Sequence, residues 1–379
     1  MKLVVAIGLA IAMLATGHPA VAKTMAMRST TVCLNVLKKA ISQKKAPQLQ
    51  NCNLDGVNLS SKKLRNLHRS NLTGSSLRGA NLTLTQLTQA VLINTDFTNA
   101  ILEQADLSNA TVYGVKFVSA SMDSAQLVNI NRQYVPGQTL PNPWATSFEG
   151  AVGGSVNLTN AYLPYALFER TKFRSLNAQK AYLAHSTFTD SVLGRLANWR
   201  GANLGGITAR GTQFSYNTFD GAILYNARFA EGTSFYQASF VAAKMEGVIA
   251  FSASFARANF DGALLVGAQL SQSEFGGAIF RQVDATAADF AGASLRTVDF
   301  NGASLAGVDF GGATLIGANF SNANLSSAIL GSARLGYANL CKAKNITEAT
   351  FADVDRESFK DALLPNGIWN GELFLGKCN

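Results

Sequence analysis

The feature of this sequence that most constrains its fold is a five-residue period in the large apolar side chains. From Leu72 to Leu127 every fifth residue is Leu, Phe, Val or Met. The same spacing returns from Phe235 to Leu340, where Ala250 and Ala285 are the exceptions. A small residue, usually Ala, precedes each centre by two positions, so the consensus is small, polar, Leu or Phe, polar, polar.

A period of five matches neither the 3.6-residue period of a helix nor the two-residue alternation of a strand. The chain must therefore turn a corner in every repeat. With the large centre and the preceding small residue inward, short sides close into coils that stack through backbone hydrogen bonds. The period predicts an all-β solenoid with a core filled by side chains.

The aromatic centres indicate how many sides each coil has. They recur at intervals of 20 residues, in one series at Phe240, Phe260, Phe280, Phe300 and Phe320. Four repeats per coil place these rings in one column with a spacing of about 4.8 Å, and each buried ring contributes roughly 1.5 to 3 kcal/mol.

This pattern resembles the pentapeptide repeat family over roughly residues 53–340, as in Ala318-Asn319-Phe320-Ser321-Asn322. The resemblance implies a right-handed quadrilateral β-helix. About a dozen coils would give a rod on the order of 60 Å long.

The remaining segments are predicted to be a leader and two caps. Residues 1–22 have a basic Lys2, an apolar run and a small-residue site, as in a signal peptide cleaved before Lys23. Residues 23–52 form an N-terminal cap with a short amphipathic helix over 31–43, and residues 341–379 form an irregular C-terminal cap. The predicted inward face of the helix consists of Val32, Val36, Leu37, Ala40 and Ile41.

Four cysteines lie two near each end of the chain. In an oxidising compartment the economical pairing joins Cys33 to Cys52 and Cys341 to Cys378. Zinc binding is the competing interpretation, but the spacings are not those of zinc knuckles.

The net charge of +9 is unevenly distributed. Residues 23–69 contain ten Lys or Arg and one acid, whereas from residue 70 onward 21 bases meet 22 acids. Export favours an anionic envelope polymer or a lipid headgroup over nucleic acid as the partner, with weak surface association through the basic N-terminal end. A solvated face that aids solubility is the plainer alternative.

The repeat is interrupted at several places. It slips at Arg65–Ser70, is lost over the irregular loop 131–147, and slips by one residue near Gly201 and near Gly232. The loop contains three prolines and Trp144, which either protrudes to meet a partner or folds back onto a coil.

A candidate binding surface follows from outward positions in the middle of the chain. Tyr162 and Tyr182 are 20 residues apart and are expected to stack on one wall, near a basic stretch that includes Arg170, Lys172 and Arg174. Stacked rings beside cations can hold a sugar or an aromatic group, and Trp144 is a further candidate. Chance spacing among nine tyrosines is the alternative.

No enzymatic activity is predicted, because His68 and His185 lie in no pattern of nucleophile, base and acid. No catalytic, cofactor or metal site is expected. The sequence predicts a non-enzymatic exported scaffold or interaction protein that binds through its walls or caps, in the periplasm, in the thylakoid lumen or outside the cell. The alternatives are a module for glycans or anionic envelope polymers and, third, a duplex mimic that binds topoisomerases, as the resemblance implies for some members of the family.

Overall fold

A computed structural model of the protein describes residues 26–131, 145–346, 349–354, 357–363, 367–369, 372–374 and 378. The predicted signal peptide, Trp144 and most of the loop 131–147 lie outside the described residues. Within the described part, no helix combines the length and the apolar character needed to cross a bilayer.

Regular secondary structure is sparse, because most sides of a coil pair with the next coil through a single β-bridge and are too short to count as strands. Helix α1 spans Thr30–Ser42, and a 3-10 helix spans Glu357–Phe359. The strands are β1 (Val152–Asn157), β2 (Leu167–Glu169), β3 (Lys172–Asn177), β4 (Thr187–Thr189), β5 (Thr208–Arg210), β6 (Arg228–Phe229), β7 (Ile249–Ala250), β8 (Gly367–Trp369) and β9 (Glu372–Phe374).

The strands and bridges build a four-sided solenoid. β1 pairs with β3, and β2, β4, β5, β6 and β7 form a sheet in that order, all in parallel. Elsewhere, single parallel bridges join residues about 20 apart, such as Asn81 with Ile101. β8 and β9 are antiparallel. The predicted β-solenoid with four repeats per coil is confirmed.

Four walls can be defined from one coil by their buried centres. Wall 1 contains Phe168, wall 2 contains Phe173, wall 3 contains Ala178 and wall 4 contains Leu183, all of them buried. Since the chain visits the walls in this order, walls 1 and 3 face away from each other, as do walls 2 and 4.

The polar positions of the repeat stabilise its corners. The side-chain oxygen of Asp96, just before the centre Phe97, accepts a hydrogen bond from the backbone N–H of Thr98 at 2.9 Å. Asn99, two residues after the centre, has a φ of 58°. Asn and Gly tolerate this left-handed conformation best, and Asn or Asp side chains readily bond to a nearby backbone N–H. The five-residue consensus therefore specifies both the straight side of each coil and the corner that follows it.

The predicted aromatic column is confirmed. Successive ring centroids in this column are 5.0 Å apart for Phe240 and Phe260, and 4.5 Å apart for Phe260 and Phe280. The next two distances, from Phe280 to Phe300 and from Phe300 to Phe320, are both 5.2 Å. Sequence reasoning missed that Trp199 and Phe219 extend this column in the N-terminal direction, because the one-residue slips disturb the 20-residue spacing there.

A second column crosses the interrupted part of the chain. Phe117 stacks on Phe148 at 5.2 Å although they are 31 residues apart in sequence, and Phe148 stacks on Phe168 at 4.8 Å. The coils on either side of the loop therefore remain in register in wall 1.

Two of the predicted interruptions of the repeat lie a few residues earlier in the structure than the sequence pattern indicated. The first is an eight-residue step from Leu59 to Leu67, both fully buried, so Leu64 is not a centre and the slip lies before Arg65–Ser70. The step predicted near Gly201 is the six-residue step from Leu193 to Trp199. Gly194 makes this step possible, because its φ is 83° and a Cβ there would lie 2.4 Å from the carbonyl oxygen of Arg174. The step near Gly232 lies between the buried centres Phe229 and Phe235.

The orientation of α1 differs from the prediction. Cys33, Leu37 and Ala40 are buried, while Val32 is 48% exposed. The predicted face omitted Cys33, whose disulfide to Cys52 ties that side of the helix to the first coil, with a Cα–Cα distance of 5.8 Å. A second disulfide joins Cys341 to Cys378 at the other end.

Candidate binding surfaces

Tyr162 and Tyr182 lie on wall 4, on successive coils joined by a parallel bridge. Their ring centroids are 4.7 Å apart and their planes differ by 19°. Such a distance between nearly parallel rings is an offset face-to-face stack. The ring faces therefore contact each other along the rod axis, and both side chains are half-buried.

A second stack, at the corner between walls 4 and 1, was not anticipated. Tyr165 and His185 have centroids 5.1 Å apart and planes 15° apart. On the next coil, Gly206 lies against the imidazole, since a Cβ there would be 2.6 Å from His185 Nδ1. The 20-residue spacing from Tyr165 to His185 is the feature of the sequence that would have revealed this pair.

Both stacks lie beside the interruption of wall 4, and a buried amide completes the hydrogen bonding of that wall. The side chain of Asn131 accepts a hydrogen bond from the backbone N–H of Val112 at 2.7 Å and donates one to the carbonyl of Tyr162 at 3.0 Å. The hydroxyl of Thr146 donates to the carbonyl of Val112 at 2.7 Å. Asn131 thus links the coils on either side of the loop and supports Tyr162.

The structure does not bring the predicted tyrosines and cations together. Lys172 and Arg174 lie on wall 2, opposite the tyrosines, because ten residues from Tyr162 to Lys172 correspond to two sides of the coil. Arg170 lies at the corner between walls 1 and 2 and forms ion pairs with Glu149 at 2.5 Å and Glu169 at 3.4 Å. Trp144 lies outside the described residues.

A separate shallow and open depression, with a mostly apolar exposed lining and three cations at its border, occupies wall 2. Its open volume is about 330 Å³, and its lining includes Lys172, Arg174 and Arg195 around Gly194. None of these three cations forms an ion pair within the described residues. The Arg195 guanidinium lies 5.4 Å from the ring centroid of Tyr216, a cation–π distance. Arg195 joins this group because it follows Gly194, which lies against the backbone of Arg174 and Ser175.

Asp96 and His68 are two titratable groups with structural contacts. Partial burial raises the pKa of Asp96, but hydrogen bonds from Thr98 and the ion pair with Arg78 outweigh this effect, so the pKa lies below its ordinary value. His68 Nδ1 is 2.6 Å from the Thr88 hydroxyl. Among the described residues, no group of three or more His, Cys, Asp or Glu is placed to hold a metal ion.

The sequence matches the family description "Pentapeptide repeats" in eight copies, over residues 66–109, 155–190, 263–302, 303–344 and 318–355. A search of curated proteins found no significant match.

Three solved structures illustrate the likeness. HetL, a pentapeptide repeat protein involved in heterocyst differentiation regulation in the cyanobacterium Nostoc sp. strain PCC 7120, is 20% identical over 74% of this chain and 93% of its own, with a TM-score of 0.26. Full-length QnrB1, a plasmid-mediated fluoroquinolone resistance protein, is 16% identical over 54% of this chain and 94% of its own, with a TM-score of 0.26. A pentapeptide repeat protein of the Arabidopsis thaliana thylakoid lumen is 29% identical over 30% of this chain and 68% of its own, with a TM-score of 0.14.

Proposed function

Because this chain is a pentapeptide repeat protein, we propose that it is an exported, non-enzymatic scaffold that binds a partner protein through wall 4. The paired stacks of Tyr162 with Tyr182 and of Tyr165 with His185 are the observation that carries this proposal. Export to the periplasm, the thylakoid lumen or the exterior is part of the proposal, and it rests on the N-terminal apolar run and the two disulfides.

Wall 4 combines rigidity with the side chains typical of protein interfaces. Tyrosine is enriched at such interfaces because a large amphipathic ring contributes contact area with little loss of conformational entropy. Stacking fixes these rings before a partner arrives, and 45% of Tyr165 remains exposed. The hydrogen bonds of Asn131 to Val112 and Tyr162 hold the backbone below the stacks in place.

The geometry favours a protein partner over a sugar on this wall. Sugar rings usually pack on an open aromatic face, whereas the faces of Tyr162 and Tyr182 contact each other. The face of His185 that points away from Tyr165 lies against Gly206. Tyr165, which is 45% exposed, can contact a complementary protein surface with its outer edge.

The test is site-specific photo-crosslinking in the source cells, with a photoreactive amino acid at Tyr165 or, as the control, at Tyr337. Both residues follow a buried centre by two positions and have φ values of 59° and 60°, and Tyr337 is 61% exposed on a distant coil. We expect a discrete protein adduct from position 165 that is missing from position 337. Identical adducts at both positions, or none at 165, would overturn the proposal.

The second candidate function is binding of an anionic envelope polymer, which the cations around the depression on wall 2 support. Lys172, Arg174 and Arg195 present three cations there that form no ion pair with any described residue. Binding of a soluble polyanion should weaken with salt and with Arg174→Ser and Arg195→Ser together, since exposed charges are screened. Equal loss in a control that replaces Arg296 and Arg334 would show that wall 2 is not the site.

A duplex mimic is disfavoured, because a net charge of +9 is opposite in sign to that of nucleic acid.

A further inference from the structure

Nearly all of the excess positive charge lies at one end of the rod. Residues 26–69 contain nine Lys or Arg and one acid, Asp55, whereas the chain from residue 70 onward holds 21 bases and 22 acids. The nine cations are Arg28, Lys38, Lys39, Lys44, Lys45, Lys62, Lys63, Arg65 and Arg69.

The fold gathers these cations on the N-terminal cap and the first coil, including the turn that leads to the second coil. Arg28 forms a bridge with Cys52, and the first coil, from Gln48 to Asn66, pairs with the second, from Asn71 to Gln86. The six lysines of the set are exposed. We refer to this part of the molecule, residues 26–69, as the basic end.

The cations of the basic end are available to an external anion. None of the nine forms an ion pair within the described residues. The carboxylate of Asp55 accepts hydrogen bonds from the Ser76 hydroxyl and the Arg78 backbone N–H. The single acid of the basic end is therefore engaged by the next coil.

Two apolar side chains are exposed at the same end. Met27 is 47% exposed and Val32 is 48% exposed. Val32 is directed outward because the disulfide from Cys33 turns the opposite side of α1 toward the first coil. It shares the outer part of the helix with Lys39, since residues seven apart lie on one face.

We propose that the basic end docks the rod end-on to an anionic lipid surface, with its cations at the headgroups and Met27 and Val32 in the interfacial layer. Clusters of four to eight Lys or Arg beside apolar side chains bind anionic bilayers, and each cation adds to the affinity. The remainder of the rod is nearly neutral, so the attraction acts on one end and orients the axis away from the surface.

A planar lipid surface suits the basic end better than a linear polyanion does. The cations lie on the N-terminal cap and the first coil, so they are confined to one end of the rod and do not extend along its length. A soluble polyanion offers no apolar environment for the exposed Met27 and Val32, whereas the interfacial layer of a bilayer can bury such side chains.

The test measures binding of the full protein, as processed by its host and with its N-terminus determined, to vesicles. The vesicles contain phosphatidylcholine alone or an equal mixture with phosphatidylglycerol, at low and high salt. We expect binding to the anionic vesicles only, weakened by salt. Replacing Lys38, Lys39, Lys44 and Lys45 by Ser should raise the Kd more than about tenfold. The control replaces Arg296, Arg334, Lys342 and Lys344 by Ser, which removes equal charge from the other part of the rod and should leave the Kd unchanged.

The insertion of residue 27 into the bilayer is tested with lipids brominated in their acyl chains, which quench tryptophan fluorescence. A Met27→Trp variant should show added fluorescence that these lipids quench, whereas added fluorescence from Tyr337→Trp should not be quenched. Equal binding to neutral vesicles, equal loss in the two quadruple variants, or binding of soluble polyphosphate without vesicle binding would overturn the proposal. The proposal does not depend on wall 4, so its failure leaves the crosslinking result at Tyr165 unaffected.

Discussion

Phe280→Asp tests the inward placement of the repeat centres directly. Phe280 is fully buried, with ring centroids of Phe260 at 4.5 Å, Phe300 at 5.2 Å and Phe275 at 5.5 Å. Removing a ring of this kind costs about 3–5 kcal/mol. The carboxyl group that replaces it has no partner in an apolar column and adds a cost of a few kcal/mol, even if it becomes protonated.

The effect should be local, because coils of a solenoid contact only their neighbours. Hydrogen exchange should speed up in the coils that contain Phe260, Phe280 and Phe300, while the coils around Phe117 keep their protection. The first step of thermal unfolding, followed by circular dichroism, should shift to lower temperature.

Phe251→Asp is the matched control, because Phe251 is 53% exposed. Its expected effect is within about 0.5 kcal/mol. Phe280→Leu should cost only about 1 kcal/mol, since Leu295 and Leu315 already fill centres of the adjacent column. If Phe280→Asp and Phe251→Asp gave the same melting curve, the inward placement of Phe280 would be refuted.

Three further perturbations test other parts of the rod. Asn131→Ala should destabilise the protein by about 1–3 kcal/mol in denaturant titration, because it leaves a buried backbone N–H unpaired, whereas exposed Asn35→Ala should have little effect. The lowered pKa of Asp96 contributes stability that is present above pH 3.8 and is lost as the pH falls below that value, so Asp96→Asn should flatten the acid limb of the stability curve. Reduction should accelerate hydrogen exchange at the two ends before the middle, because the disulfides span 19 and 37 residues and contribute about 3 and about 4 kcal/mol; uniform exchange would contradict this.

The five-residue period was sufficient to predict the coils, because every side repeats the same local chemistry. The oxygen of Asp96 on the N–H of Thr98 and the left-handed Asn99 are one instance of a corner that the consensus encodes many times. The 20-residue recurrence of Phe240 and Phe260 then fixed the number of sides.

The candidate surfaces were harder to predict, since they depend on exceptions to the repeat. Counting sides would have shown that Tyr162 and Lys172 face opposite ways. The stack of Tyr165 with His185 and the hydrogen bonds of Asn131 depend on which residues become neighbours across an insertion. The outward direction of Val32 follows from a disulfide that turns the helix, and helical periodicity alone does not contain that constraint.

The stacking of Phe117 on Phe148 has a consequence for how such a chain can change over evolution. Since the hydrophobic column passes directly from one ring to the other, the alignment of the coils does not require a fixed length for the chain between Asn131 and Thr146. New recognition elements can be inserted or exchanged at this junction while the coils on both sides keep their alignment. The rod can thereby acquire a different specificity without a new fold.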